Sequence, residues 1–262
     1  PYLLILNYPG NPDGITYGAE SVKQLAETCR KNNIYILSDE IYGQLHHEGK
    51  HVSIAKYYPE GTIISSGLSK WCGAGGWRLG TFSFPAKLHW LMDAMAAVAS
   101  ETYTSVSAPI QYAAIQAFLC GSEIENYLSH VRKILALLGK ETAAILKNGN
   151  ISVNDPTGGF YLFLDFTPLS EKLVKRGIAD GSILCDRLLD ECGVAILPGV
   201  DFNRPAEELS ARLSYVDFDG AKALSASYSI PLHEKFPADF LFQYCGNVIE
   251  AAEKIVEWGN AE

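Results

Sequence analysis

The stretch SSGLSKWCGAGGWRLG, Ser65 to Gly80, combines a lysine, several glycines and an arginine in an order that an ordinary surface segment does not need. Lys70 ends the strand-like run TIISSGLSK, and Arg78 follows eight positions later. A lysine by itself is usually a surface residue. Glycines, however, allow the backbone to come close to a bound anion. The pattern therefore indicates a lysine that does chemistry, followed by an arginine that binds an anion.

The composition is that of a globular protein. With 262 residues, 48% hydrophobic and 19% charged, the chain can bury one large core or two smaller ones. A net charge of −9 without a long basic block argues against nucleic-acid binding. No apolar run reaches membrane-spanning length, which argues against a membrane protein. Six scattered cysteines without a CxxC pair indicate reduced thiols and a cytoplasmic protein.

The first half of the chain alternates strand-like and helix-like segments. A helix begins at Thr16 or Tyr17, and strands are predicted at YLLILN (2–7), IYILSDEIY (34–42), TIISSGLSK (62–70) and RLGTFSF (78–84). The second strand does not alternate strictly between apolar and polar residues, so both faces of its sheet are expected to be covered. Strands that alternate with helices along the chain predict right-handed βαβ units and an α/β fold with a mainly parallel sheet flanked by helices.

The second half is richer in helix. Helices are predicted at 87–100, 107–120, 122–148, 180–193 and from about 239 to 258, with strands at 158–166, 194–199 and 210–218. We expect a large domain over residues 1–120, a connecting helix over 121–150, and a smaller α+β domain over 151–262. The run YLLIL directly after Pro1 is so apolar that the sequence is expected to begin in mid-domain.

Polar residues follow the predicted strands at the end where open parallel sheets bind ligands. Asn7 and Asn11 follow the first strand; Asp39 and Tyr42 end the second; the third ends in Ser65, Ser66, Ser69 and Lys70, with Arg78 beyond. A lysine amine forms a Schiff base with a carbonyl. A carboxylate can pair with a protonated ring nitrogen, and an arginine can bind a phosphate. Pyridoxal phosphate presents all three of these groups, and it is the predicted cofactor.

With these residues the sequence resembles the fold-type I, pyridoxal-phosphate-dependent aminotransferases of the aspartate aminotransferase class. NPDG resembles the family's Asn-Pro-Thr-Gly motif, and SDEIY resembles its Asp-x-x-Tyr motif. SGLSK and GWRLG resemble the segments of its Schiff-base lysine and phosphate arginine. ARLSY resembles the small-domain segment whose arginine binds the substrate α-carboxylate. These motifs occur in the family's order along the whole chain.

The resemblance implies a role for each residue. Lys70 would hold the cofactor as a Schiff base and move the proton at the substrate α-carbon. Asp39 would keep the pyridine nitrogen protonated, and Tyr42 with Asn11 would hydrogen-bond the phenolic oxygen. Arg78, with Ser66 or Ser69, would bind the phosphate. Asn11 and Arg212 would bind the substrate.

The implied activity is transfer of an amino group from an α-amino acid to a 2-oxo acid by a homodimer, without a metal. Two alternatives remain open at this point. One is another fold-type I enzyme, such as a C–S lyase or an aminocyclopropane-carboxylate synthase. The other is a non-catalytic, truncated relative, because the family's N-terminal third has no counterpart here. We therefore expect the 262-residue chain alone to bind cofactor weakly and to self-associate.

Some features have a simpler interpretation. Arg78 could form a structural ion pair, and Arg212 lies on an alternating strand where it could face solvent. HHEGKH, residues 46–51, suggests a metal site, but an exposed loop is the preferred interpretation because no carboxylate or cysteine cluster accompanies it. Between Lys87 and Arg132 there is no lysine or arginine, which favours neutral or aromatic amino-acid donors over aspartate.

Overall fold

The computed structural model describes residues 2–261 and divides into two compact units. The first comprises residues 1–10 and 16–129, and the second comprises residues 11–15 and 130–262. The division at residue 129 falls inside the long helix Ser122–Asn148. The three-part division into 1–120, 121–150 and 151–262 stays a prediction. The expectation about Pro1 concerns a residue outside those described.

The first unit is built on a four-stranded sheet in the order β1-β2-β3-β4. Its strands are β1 (Tyr2–Asn7), β2 (Ile34–Asp39), β3 (Thr62–Gly67) and β4 (Gly80–Ser83). The β1–β2 and β2–β3 pairs are parallel, and β4 is antiparallel to β3. The helices begun in this unit are α1 (Ala19–Lys31), α2 (His89–Thr102), α3 (Ala108–Phe118) and α4 (Ser122–Asn148). The predicted α/β class with a mainly parallel sheet is confirmed.

Helix α1 covers one face of this sheet. Its Val22, Ala26 and Cys29 form a buried core with Ile36 of β2 and neighbouring residues. Successive side chains of a strand point to opposite faces. Leu3 and Ile5 of β1 are 57% and 67% exposed. The exposed face of β1 differs from β2, the strand for which coverage of both faces was expected, because in β2 Ile36 and Ser38 are buried and Tyr35 and Leu37 are half-buried.

Among the described residues every strand except β1 is shorter than predicted, and the ends of β2 and β3 bear on the candidate site. β2 ends at Asp39 and not at Tyr42, because the amide of Gly43 donates to the carbonyl of Glu40 and turns the chain. β3 ends at Gly67, so Lys70 lies in the turn after the strand. A Cβ atom at Gly67 would lie 2.6 Å from the carbonyl oxygen of Leu79, so the close approach of β4 requires a glycine there.

The second unit contains an antiparallel three-stranded sheet in the order β5-β7-β6. Its strands are β5 (Tyr161–Asp165), β6 (Leu197–Pro198) and β7 (Ser210–Ser214). Its further helices are α5 (Ser170–Lys175), α6 (Gly181–Cys192), α7 (Gly220–Tyr228) and α8 (Phe240–Asn260). Helices α5 and α7 were not predicted, because their six and nine residues make too few turns to show a clear helical period.

Other general features follow from the described part of the chain. All six cysteines are free thiols. Within residues 2–261, none of the helices combines the length and the apolar character that crossing a bilayer requires.

Candidate active site

The carboxyl ends of the three parallel strands of the first unit lie side by side. Asn7 of β1 is in register with Asp39 of β2, and Asp39 is in register with Ser65 of β3. Parallel pairing aligns strand ends on one edge of a sheet. The polar residues that end these strands therefore meet at one edge, with Asp39 in the middle.

Asp39 is a half-buried carboxylate. Its Oδ2 accepts a hydrogen bond of 3.1 Å from Asn7 Nδ2, and its Oδ1 accepts one of 3.3 Å from the Ile41 amide. Burial raises the pKa of Asp39 above its ordinary value, the bonds from Ile41 and Asn7 lower it, and the charge of Glu40 raises it further. A cation at this carboxylate would offset the cost of burying its charge. Asp39 is therefore suited to receive a positively charged group.

Lys70 and Tyr42 lie close together in the first unit. The Lys70 Nζ is 6.0 Å from the centre of the Tyr42 ring, and the ring is buried. The turn that carries Lys70 is anchored on both sides, because Leu68 and Trp71 are 0% and 2% exposed. A lysine between two buried anchors has a restricted range of positions, as a reacting amine requires.

The predicted phosphate-binding residues surround the same turn. Ser66 is a half-buried residue of β3, opposite Thr81 of β4. Ser69 is half-buried next to Lys70. Arg78 is exposed, has a φ of 54°, and donates from Nη1 to the carbonyl of Gly75 over 2.8 Å. This bond fixes the guanidinium close to its own turn, where its other N–H groups can bind an anion.

The second unit brings together the two residues predicted to bind substrate. Arg212 of β7 donates from Nη1 to Asn11 Oδ1 over 2.9 Å. Its guanidinium carbon lies 4.7 Å from the centre of the Tyr161 ring and 4.9 Å from that of Phe202. The Nε atom is buried without a hydrogen-bond partner among the described residues. Arg212 is thus oriented by two aromatic rings and an amide, and it is only partly exposed.

Several neighbours of these residues escaped the sequence analysis. Asn7 was expected at a strand end, but nothing in the sequence connected it with the carboxylate of Asp39. Tyr161 and Phe202 lie 51 and 10 residues before Arg212 in the chain, so spacing gave no signal for them. The run GGFYLFLDF predicted the strand that contains Tyr161 but not its partner.

The histidine loop differs from its predicted form. His51 was expected in an exposed loop, but its side chain is only 15% exposed and its Nε2 lies 3.0 Å from Glu40 Oε2. The exposed part of the loop is the Glu48–Lys50 ion pair. Among residues 2–261 no group of three or more histidine, cysteine or carboxylate side chains is arranged to hold a metal.

The donor set of the first unit fits pyridoxal phosphate in its chemistry. A half-buried carboxylate suits the ring nitrogen, a buried phenol suits the phenolic oxygen, and an anchored amine suits the aldehyde. An exposed guanidinium suits the phosphate.

The comparisons with known proteins all identify aminotransferases as similar to this chain. The family model "Aminotransferase class I and II" matches residues 1–221. The aspartate aminotransferase of Bacillus subtilis is 35% identical over 217 residues, which cover 81% of this chain and 52% of that protein. The aspartate/prephenate aminotransferase of Thermus thermophilus is 33% identical over 217 residues, which cover 81% of this chain and 51% of that protein. The chain thus spans about half the length of the curated relatives it matches.

Solved structures agree. A double mutant of the aspartate aminotransferase of Thermus thermophilus superposes with a TM-score of 0.75 at 26% identity, covering 98% of this chain and 56% of that one. The same enzyme solved with maleate gives a TM-score of 0.75, again at 26% identity and with the same two coverages.

Proposed function

Because the chain belongs to the class I and II aminotransferase family, we propose that the protein moves an amino group from an α-amino acid to a 2-oxo acid, with pyridoxal phosphate as its cofactor. The observation that supports this activity is the grouping of Lys70, Tyr42 and Asp39 in one unit. The relatives are named as aminotransferases, so elimination by a lyase is not favoured. An intact lysine, carboxylate and arginine argue against a non-catalytic relative.

Each residue has a proposed task. Bound pyridoxal phosphate supplies an electron-withdrawing ring that stabilises negative charge at the substrate α-carbon. Asp39 binds the ring nitrogen and keeps its proton in place. Lys70 would hold the cofactor through Nζ, by condensation with its aldehyde and loss of water, and its free amine would carry the proton to and from the substrate α-carbon. Tyr42 and Asn11 donate to the phenolic oxygen, and Arg78 with Ser66 or Ser69 binds the phosphate.

Arg212 is the proposed partner of the substrate α-carboxylate. Its guanidinium lies against two aromatic rings, and Asn11 accepts from one of its N–H groups. A pre-oriented guanidinium loses less freedom when it binds a carboxylate. Asn11 and Arg212 thus form the proposed substrate-binding pair of the second unit.

The cellular context and domain roles are also proposed. Six free thiols fit a reducing compartment, which supports a cytoplasmic location. Exposed apolar residues on the first unit support a homodimer. We propose a large cofactor-binding domain over residues 1–120, a connecting helix over 121–150 and a small C-terminal domain over 151–262.

Covalent labelling tests the role of Lys70. Treating the protein with pyridoxal phosphate and then borohydride should attach the pyridoxyl group to Lys70, as read by peptide mapping. Lys70→Ala should still bind cofactor weakly through Arg78 but should transfer no α-proton. Lys87→Ala is the matched control, because it removes an amine outside the proposed site. A label on another lysine would contradict the assignment.

A panel of amino-acid donors tests the substrate class. The absence of lysine and arginine between Lys87 and Arg132 favours neutral or aromatic donors, whereas the names of the relatives favour aspartate. We expect a higher kcat/KM for neutral or aromatic donors. If aspartate is the best donor, its side-chain carboxylate is bound by a cation outside the segment between Lys87 and Arg132. Formation of a keto acid without release of ammonia would identify the reaction as transamination and not as elimination.

A further inference from the structure

The residue after Asp39 is a second carboxylate with a very different environment. The Glu40 side chain is only 10% exposed. Its Oε1 accepts hydrogen bonds of 2.8 Å from Ser38 Oγ and 2.7 Å from Ser53 Oγ, and its Oε2 lies 3.0 Å from His51 Nε2. A buried carboxylate with three donors is stabilised in its ionised form.

The loop that supplies two of these donors packs against the turn after Asp39. A Cβ atom at Gly43 would lie 2.9 Å from the His51 ring. On the other side, the Tyr8 ring lies 5.0 Å from the His51 ring. The Tyr8 hydroxyl accepts from the Ile54 amide and donates to the Val52 carbonyl, so the loop is fixed at both ends of Ser53. Glu40 thereby connects the carboxyl end of β2 to a rigid loop.

The side chains of Glu40 and Asp39 are on opposite faces at the carboxyl end of β2. The Glu40 amide still donates to the Ser65 carbonyl, over 2.8 Å, so the strand geometry extends to this residue. Alternate residues of a strand share a face. The side chains of Glu40 and Ser38 therefore lie on one face, and the side chain of Asp39 lies on the other. The two groups that donate hydrogen bonds to the Asp39 carboxylate, the side-chain amide of Asn7 and the backbone amide of Ile41, carry no charge.

The two carboxyl groups are shifted in opposite directions. Burial by itself raises the pKa of Glu40, but the bonds from His51, Ser53 and Ser38 bring it below its ordinary value. The pKa of Asp39 is raised, chiefly by burial and in part by the charge of Glu40. The titratable groups that interact electrostatically with Glu40 are His51, the Tyr8 phenol and Asp39. Neighbouring carboxyl groups with separated pKa values commonly have distinct tasks in a site.

We propose that Glu40, bound by Ser38, His51 and Ser53, is a positioning residue for Asp39 and a second fixed negative charge behind it. It orients the strand end that carries Asp39, and its charge adds to that of Asp39 in attracting a positively charged group. The inference rests on the proposed function, in which that group is the protonated ring nitrogen of the cofactor. His51 thus has a task that does not involve a metal.

The test replaces Glu40 with its uncharged isostere. In Glu40→Gln, the pKa of Asp39 should fall, since the nearby negative charge is gone. Carbon-13 NMR of the Asp39 carboxyl, assigned from its absence in Asp39→Asn, measures this in the protein without cofactor. Absorbance titration should also show pyridoxal phosphate binding weakened about tenfold, as expected for the loss of one charge at short range.

A matched control lies in the same loop. Glu48→Gln makes the same chemical change at a carboxylate whose side chain is 68% exposed and paired with Lys50. It should leave the Asp39 pKa unchanged and the cofactor affinity within about twofold. An unchanged Asp39 pKa in folded Glu40→Gln would overturn the inference. The proposed function has a separate readout, because it fails if the unmodified protein does not bind pyridoxal phosphate at Lys70.

A second variant covers the case in which Glu40→Gln does not fold. Ser53→Ala keeps the carboxylate and removes one of its donors, so the pKa of Glu40 should rise in the same NMR titration. A Glu40 pKa that does not move would also overturn the inference.

Discussion

At the scale of single residues, the environment of the Asp39 side chain indicates its role most clearly. It accepts hydrogen bonds from two neutral donors, and burial raises its pKa. The two neutral hydrogen bonds do not offset the effect of burial on the pKa, since a buried charge without a cation is costly. Both features are explained if a cationic group binds there.

The variant Asp39→Asn removes the charge and keeps the shape. We expect a loss of several orders of magnitude in the rate of amino transfer, because the ring nitrogen no longer has an anionic partner. The fold should change little, since an asparagine can keep the hydrogen bonds from Asn7 and Ile41. Single-turnover kinetics and circular dichroism measure the two effects. Near-normal turnover in the variant would show that the carboxylate has another role.

At the scale of elements, helix α6 illustrates how local sequence sets boundaries. Asp180 is its N-cap and accepts a hydrogen bond of 2.8 Å from the Ile183 amide. Gly193 ends the helix in the left-handed conformation with a φ of 68°. These two residues bracketed the helix predicted over 180–193, because a cap and a left-handed glycine are local signals. The strands β2 and β3 were predicted too long, because β2 ends in a turn closed by the Gly43 amide and β3 ends at Gly67.

Removing the cap of α6 should lower stability. Asp180→Ala leaves the Ile183 amide without its partner, and we expect the free energy of unfolding to fall by about 1 kcal/mol. Asp186→Ala is the matched control, since Asp186 is an exposed residue inside the same helix. It should change stability by less than about 0.5 kcal/mol. Urea unfolding of both variants measures the difference, and equal effects would contradict the capping role.

At the scale of the whole molecule, the first unit exposes many large apolar side chains. Leu3 and Ile5 of β1 are exposed, as are Trp90 and Val98 of α2 and Tyr112 of α3. Monomeric proteins seldom expose such residues in quantity. The observation agrees with the expected self-association and with the proposed homodimer.

Sedimentation over a range of concentrations tests this association. We expect oligomers that dissociate on dilution, and Trp90→Gln should shift the equilibrium toward monomer because it removes a 67% exposed ring. Phe242→Gln is the control, since it removes a 79% exposed ring from α8 in the second unit. A monodisperse monomer at every concentration would contradict both the association and the dimer.

The sequence by itself determined the fold class and the identity of the candidate residues. Lys70, Asp39, Tyr42 and Arg78 stand in local motifs, and strands that alternate with helices specify an α/β architecture without any contact being known. Local patterns carry this information because turn chemistry and hydrophobic periodicity act over a few residues.

Only the tertiary structure decided which side chains meet. It paired Asn7 with Asp39, placed the rings of Tyr161 and Phe202 against Arg212, and turned a histidine of an apparently exposed loop toward Glu40. It also left one face of β1 exposed where the apolar sequence predicted burial. Such contacts join residues far apart in the chain, and their geometry depends on sheet register and loop packing, which spacing along one sequence does not encode.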